Sequence, residues 1–261
     1  LVSGDVQVAD RLDLKTVNLL ERRPDIQVNA VAGTQHYTFA MDTREAPYND
    51  NNVRLALKYG VNRQELVDKI LLGHGMAAND TPIGPANQYF HSEMEPLTYD
   101  LDKAKFYLKE AGLTELNIDL NVSDAAFNGA VDSAQLYQAS AKGAGININV
   151  VQEPADGYWS NVWLKKPFCA SYFSGRATED WMFATAYEAG VPWNDSQWDH
   201  PRFQELLLTA RAELDSNKRR EMYFEMQQIL RDDGGVIIPM FANYVQALST
   251  KIATSDTVGN L

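Results

Sequence analysis

Cysteine is almost absent, with Cys169 the only one in 261 residues. One thiol excludes an intrachain disulfide and a multi-thiolate metal site. Flanked by Phe168 and Ala170, it reads as buried and unreactive. Positive charge is scarce too. The 23 Lys and Arg face 35 Asp and Glu, a formal net charge of -12, and a field of that sign repels phosphate backbones and anionic membrane surfaces, which argues against a nucleic-acid partner. Long apolar runs are missing: Val236–Ala242, interrupted by Pro239, is far short of the roughly 20 residues a membrane-spanning helix needs. His36, His74, His91 and His200 lack the helical or finger-like spacing of metal ligands, so no metal is expected. Neither G-x-x-x-x-G-K-[ST] nor G-x-G-x-x-G occurs, and no serine sits in G-x-S-x-G, so no cofactor and no nucleophile elbow are expected. The carboxylate pairs Asp232–Asp233 and Asp42 with Glu45 have no partnered motif and read as helix-end and turn residues.

What is present is a folded chain, 45% hydrophobic and 22% charged, enough for one large core or two modest ones. Residues 26–31 and the alternation Tyr37, Phe39, Met41 read as two strands separated by Gly33. Asn51 or Asn52 can cap a helix ending at Gly60, and Asn62 with Glu65 forms a capping box for a second helix running to Gly73. The Pro- and Gly-containing stretch 81–96 reads as an ordered surface segment. From Asp100, the positions Leu101, Ala104, Leu108 and Ala111 predict a helix stopped by Gly112.

Leu116, Ile118, Leu120 and Val122 then alternate with polar residues, a helix is predicted over 127–142, and Ile146, Ile148 and Val150 alternate again. That order is a βαβ unit, which pairs its strands in parallel. A helix over 158–164, a strand over 168–173 and a helix over 179–187 continue the α/β alternation. Two apolar helical stripes follow, Phe203 to Leu214 and Met222 to Leu230, broken at Asp215–Ser216. Gly234–Gly235 ends the second, strands over 236–241 and 244–248 come next, and a polar tail runs from Ser255 to Leu261.

Several of these stretches resemble the peptide, nickel and opine-binding family of periplasmic solute receptors. The run Asn52 to Arg63 with Leu71-Leu72-Gly73-His74-Gly75 is similar to the family's helix–"IDR"–helix–"G-x-G" segment, with Val61 and Asn62 in place of isoleucine and aspartate. Asp100-Leu101-Asp102-Lys103-Ala104-Lys105, followed by Leu108 to Gly112, resembles "D-x-x-K-A-K-x-L-L-x-E-A-G". Gly145 to Ile148 and the stretches 210–215 and 218–223 match later pieces in the same order, and Leu1 to Val6 resembles a segment deep inside the full receptor. The resemblance implies a class II periplasmic-binding-protein-like α/β fold, a mixed sheet flanked by helices. Residues 1–261 would then be the second lobe of a two-lobe receptor whose first lobe is missing, with 1–35 leading in from that lobe and 242–261 returning toward it.

Residues 158–198 hold all five tryptophans, Trp159, Trp163, Trp181, Trp193 and Trp198. Rings offer large contact area at modest rotamer cost, as a cleft for varied side chains needs, though rings are equally the material of a core. Tyr172, Ser174, Gly175 and Arg176 follow one another at the end of a predicted strand, where α/β sheets present ligand loops. Arg176 either forks onto a ligand carboxylate or pairs with Glu179 or Asp180. Asp180 either meets a ligand cation or caps the helix carrying Trp181. In peptide-binding members of the family an aspartate near this glycine holds the ligand amine, and here Thr178 stands in its place. The ligand-binding set expected is thus Tyr172, Ser174, Gly175, Arg176, Asp180, Trp181, Trp193 and Asn194.

The resemblance implies a non-enzymatic receptor in the periplasm that closes around a peptide or similar polar solute and delivers it to an ABC-transporter permease. The rival expectation is an α/β hydrolase or transferase with an unrecognised Ser, His and Asp constellation. A face uncovered by the missing lobe is consistent with a homodimer of this chain.

Overall fold

The computed structural model describes residues 1–10 and 12–255; the polar tail after Ser255 lies outside the described residues. In chain order the elements are β1 (Val8–Ala9), α1 (Leu14–Leu20), β2 (Ile26–Val31), β3 (His36–Met41), α2 (Asn51–Tyr59), α3 (Arg63–Lys69), β4 (Gly75–Ala77), α4 (Leu101–Glu110) and β5 (Leu116–Val122). There follow α5 (Ala130–Ala141), β6 (Ile146–Gln152), α6 (Tyr158–Asn161), β7 (Phe168–Phe173), α7 (Glu179–Ala186), α8 (Pro201–Ala212), α9 (Ser216–Asp233), β8 (Val236–Ala242) and β9 (Tyr244–Ser249).

Six strands form one mixed sheet in the order β4-β8-β3-β7-β5-β6. The βαβ unit predicted from periodicity is there: β5 and β6 run parallel with Leu116 opposite Ile146 and Val122 opposite Gln152. Strand β7 joins β5 in parallel at Asn121 and Cys169, whereas β3, β7 and β8 pair antiparallel. Helices cover both faces. Phe39, Met41, Leu57, Ile118, Tyr137 and Phe168 belong to one core, and Phe183, Phe203, Met226, Ile238 and Phe241 belong to the other.

Strand β8 shows why its sequence reads as an unbroken apolar run. All seven residues are buried, with Ile237, Met240 and Ala242 in the first core and Val236, Ile238 and Phe241 in the second. The switch of side occurs at Pro239, where the pairing with β3 slips between Tyr37 and Phe39. Proline has no N–H for the ladder, so an interior strand accommodates it at an irregularity. Its carbonyl still accepts from Ala78 N at 2.9 Å.

Several boundaries differ from those expected. Asp50, extended and accepting from Asn52 N, caps α2, because Asn51 is already helical. Helix α3 stops at Lys69 rather than Gly73, since Leu72 and Gly73 both turn left-handed (φ 50° and 83°) to lead into β4. Helix α5 begins at Ala130, after Gly129 at φ 84°. Elements β1, α1 and β4 escaped the sequence reading, having too few residues to show a period.

A second, three-stranded antiparallel sheet has the order β1-β9-β2. It joins the large sheet through residues 32–35 and through Asn243. At this crossing Gly33 is required by space, for a Cβ there would lie 2.4 Å from the Ala242 carbonyl oxygen.

Candidate functional site

Beside the crossing opens a cavity of about 490 Å³. Its walls come from both sheets: residues 12–15 with Tyr244 and Val245 on the small-sheet side, and Tyr37 with Tyr172, Ser174 and Gly175 on the large-sheet side. The turn after α3 (69–72) and the loop from β5 into α5 (124–129) complete it. The carboxyl ends of the parallel strands β5 and β7 thus supply loops to one site, as the topology of open α/β sheets favours.

Tyr37 stacks on Phe127 with ring centres 4.1 Å apart and 8° between planes. It stands opposite Tyr172 in the β3–β7 ladder, so three rings form one wall. Burial raises the Tyr37 phenol above its ordinary pKa, which keeps it a protonated donor. Gly175 packs against the crossing, where an added Cβ would fall 1.6 Å from Thr34 Oγ1. Both signs of charge border the cavity, Lys15 and Lys69 against Asp13, Asp124 and Asp132. Asp124 Oδ1 accepts from Val131 N at 3.2 Å, which fixes the loop to the start of α5.

The residues expected to form a site are divided by the fold. Tyr172, Ser174 and Gly175 line the cavity. Arg176 turns away, donating from Nη1 to the carbonyls of Ser174 (2.7 Å) and Gly175 (3.2 Å), with its guanidinium 5.7 Å from the Trp181 ring centre. Neither carboxylate proposed as its partner takes it. Glu179 is buried and accepts from Tyr89 N at 2.7 Å, and Asp180 accepts from Arg211 Nε at 2.6 Å. Asp180 does not cap α7 either; Thr178 does, through Oγ1 to Trp181 N, because it is the last extended residue before the helix.

Trp193 projects from its loop, but Asn194 beside it is buried, its amide donating to the carbonyls of Glu188 and Trp198. An amide so placed holds a loop together and has no donor left for a solute. Tyr37, Phe127 and Tyr244 line the cavity but were not singled out in the sequence. Tyr37 and Phe127 occupy positions that a strand and a helix start also explain, and Gly33 read only as a break between two strands.

Two titratable groups near the site are displaced by burial. His36 is fully buried between Phe173 and Phe241, its Nδ1 3.1 Å from the Thr34 carbonyl, and its pKa is held down to about 4, so the ring is neutral. Asp195 is pushed up to about 6 by burial, although Trp163 Nε1 donates to it at 3.0 Å. Cys169, buried as expected, has its thiol pushed up by the same cause.

Residues 1–200 match the family model described as bacterial extracellular solute-binding proteins, family 5 middle. The dipeptide-binding protein of Escherichia coli K12 is 28% identical over 239 residues, covering 86% of this chain and 42% of that protein. The oligopeptide-binding protein OppA of Bacillus subtilis 168 is 27% identical over 238 residues, covering 85% and 42%. The chain therefore spans less than half the length of these relatives. In fold it superposes on the periplasmic binding protein DppA of Helicobacter pylori, solved with the peptide STSA, with TM-score 0.88 at 23% identity over 100% of this chain and 52% of that one. It also superposes on NikZ of Campylobacter jejuni, solved with Ni(L-His), with TM-score 0.86 at 17% identity over 99% and 55%. The mixed sheet flanked by helices is thus the periplasmic-binding-protein fold, and the chain belongs to the family 5 bacterial extracellular solute-binding proteins.

Proposed function

We propose that this chain is the second-lobe part of a periplasmic receptor that captures peptides or similar polar solutes beside the sheet crossing and delivers them to an ABC-importer permease. The observation that carries this reading is the cavity whose walls come from both sheets at the two-stranded crossing. A solute there touches both bodies at once, so binding favours their closed arrangement over the open one by its differential affinity. In this reading the small sheet, built from residues near both ends of the chain, belongs with the other lobe, and residues 32–35 and Asn243 are the hinge. Rings on one wall and charges of both signs at the rim suit a solute with a polar backbone and variable side chains. Relatives whose names specify dipeptides and oligopeptides support the peptide class. The protein acts by binding and release, and returns its solute unchanged.

The test is a thermal-shift and calorimetric series on the full-length protein with di- to pentapeptides, using Ni(L-His) and sugars as controls. At a ligand concentration of 100 times Kd, stability should rise by about 2.7 kcal/mol. Tyr172→Ala should weaken binding about tenfold, and mass spectrometry should recover the peptide intact. A shift with Ni(L-His) and none with any peptide would overturn the peptide class. Equal affinity in the 261-residue chain and the full-length protein would overturn the two-lobed site.

A further inference from the structure

The two edges of the large sheet are closed in different ways. Strand β4, at one edge, has three residues, and so short an edge offers little for another strand to pair with. Strand β6, at the other, has seven, Ile-Asn-Ile-Asn-Val-Val-Gln, without a charge, a proline or a glycine. A β-branched, amide-rich run of that kind pairs well with a copy of itself. Its amides already form a ladder with β5: Asn147 Nδ2 donates to Asn117 Oδ1 at 3.0 Å, and Asn149 Nδ2 to Asp119 Oδ1 at 2.7 Å.

The hydrogen bonds at the two ends of β6 decide which of its backbone groups face outward. Leu116 N donates to the Gly145 carbonyl and Glu153 N to the Val122 carbonyl, so the odd-numbered residues of this stretch face β5. Ile146, Ile148, Val150 and Gln152 therefore direct both N–H and C=O to the open side. Among the described residues one of these groups is taken: the Ile148 carbonyl, near the middle of the strand, accepts from Gln138 Nε2. Gln138 belongs to α5, whose Ala134, Tyr137 and Ala141 share a core with Ile146 and Ile148. The residue is itself exposed, yet its amide is committed to a single backbone oxygen. A side-chain amide donates as a peptide N–H does, so Gln138 occupies the acceptor that an incoming strand would need.

We propose that Gln138 is a side-chain cap that keeps β6 from pairing with β6 of a second copy of this chain. Charge and symmetry select that occupant. At a net charge of -12 most of the surface repels a second copy, whereas β6 carries no ionisable side chain of its own. Antiparallel pairing about a two-fold axis at Asn149 sets Ile148 opposite Val150 and Ile146 opposite Gln152, so every outward N–H and C=O finds a partner. The single group that cannot take part while the cap is in place is the Ile148 carbonyl. A hydrogen bond of this kind shifts an equilibrium about fivefold, and pairing must displace one cap in each copy, so the two together weaken it about 25-fold.

The experiment is sedimentation of the full-length protein and its Gln138→Ala variant over a series of concentrations, with amide hydrogen exchange followed at residues 146–152. The unaltered protein should be monomeric. Gln138→Ala should self-associate at concentrations at least about tenfold below any at which the unaltered protein does. The Ile148 and Val150 amides should become protected in the variant alone, and only as it associates. Adding Asn149→Lys, at an exposed position on the two-fold axis, sets two lysines opposite each other and should return the variant to a monomer. Monomeric Gln138→Ala throughout the series would overturn the proposal. So would association that survives Asn149→Lys or leaves 146–152 unprotected, since the contact would then lie elsewhere. An unaltered protein that already pairs through β6 would show that Gln138 caps nothing.

Discussion

Two regions of this molecule reverse what residue type leads one to expect. The inner face of α2 and the residues after it carry three cations, and all are buried: Arg54, Lys58 and Arg63. Beyond the cavity, Tyr172, Trp159, Trp163 and Trp193 form a strip of four large rings in edge-to-face contact, and most are exposed. The difference lies in hydrogen-bond supply. Lys58 Nζ donates to the carbonyls of Arg231 (2.7 Å) and Leu230 (3.3 Å) near the end of α9, where the helix dipole presents negative charge. Arg54 holds the Asp233 carboxylate and the Tyr48 carbonyl. Arg63 meets Asp80 at 2.6 Å and bonds the carbonyls of Lys58 and Leu97, while Asp80 also accepts from Ile238 N. Charges partnered in this way can leave water, although Arg63 Nε stays without a hydrogen-bond partner among the described residues, and rings with no neighbour to cover them cannot.

The sharpest way to break the comparison is to remove one partner from the buried cluster. Asp80→Ala leaves a buried guanidinium unpaired and should cost about 3–5 kcal/mol in urea unfolding. Ligand affinity of the folded fraction should stay within about twofold. A loss under 1 kcal/mol would show that water reaches the cluster.

Next in size is an effect of pH. His36, held down to about 4 from its usual 6.5, is charged in the unfolded chain before the folded one, so its contribution to stability is lost as pH falls from 6.5 to 4. Asp195, pushed up to about 6 from 3.8, takes its proton first in the folded state, so its contribution grows as pH falls from 6 to 3.8. The two oppose each other over nearly the same window. Asp195→Asn should unmask the histidine and steepen the loss between pH 6.5 and 4 by roughly 3 kcal/mol. Unfolding free energies at pH 7 and 4 measure it, and identical slopes in the two proteins would count against the opposition.

Lys58→Met should cost about 1–2 kcal/mol at neutral pH through its two lost hydrogen bonds. The lysine pKa is lowered to about 8 by burial, so the unfolded chain binds the extra proton between about 8 and 10.5, and the native protein gains stability as pH rises through that interval. The variant should lack this rise. Smallest of all for stability is Tyr172→Ala at the cavity, expected within about 0.5 kcal/mol. The two regions would then separate cleanly: substitutions in the charged cluster unfold the protein, and those at the rings act on binding. A Tyr172→Ala variant that melts far lower would merge them.

Local pattern sufficed where an element is set by its own residues. Strand β7 has the bounds its composition predicted, the βαβ unit has its parallel register, and α8 and α9 separate at Asp215, whose carboxylate caps the second helix. The candidate site was legible only in part. Tyr172, Ser174 and Gly175 sit on the carboxyl end of a strand, a location that topology alone favours, and they reach the cavity. Arg176, Asp180 and Asn194 have the same polar character, yet they spend their groups on Ser174, Arg211 and the carbonyls of Glu188 and Trp198.

By itself, then, the sequence determined the α/β class, the order of the longer elements and the family, because periodicity, capping and collinear motifs act over a few residues to a few tens. The tertiary structure alone decided that residues 26–31 and 244–249 pair into a separate sheet, that Pro239 marks a change of side, that three cations lie inside and that Trp159, Tyr172 and Trp193 lie exposed. Each of these depends on a partner far along the chain, and neither burial nor a hydrogen bond can be assigned until that partner is in place.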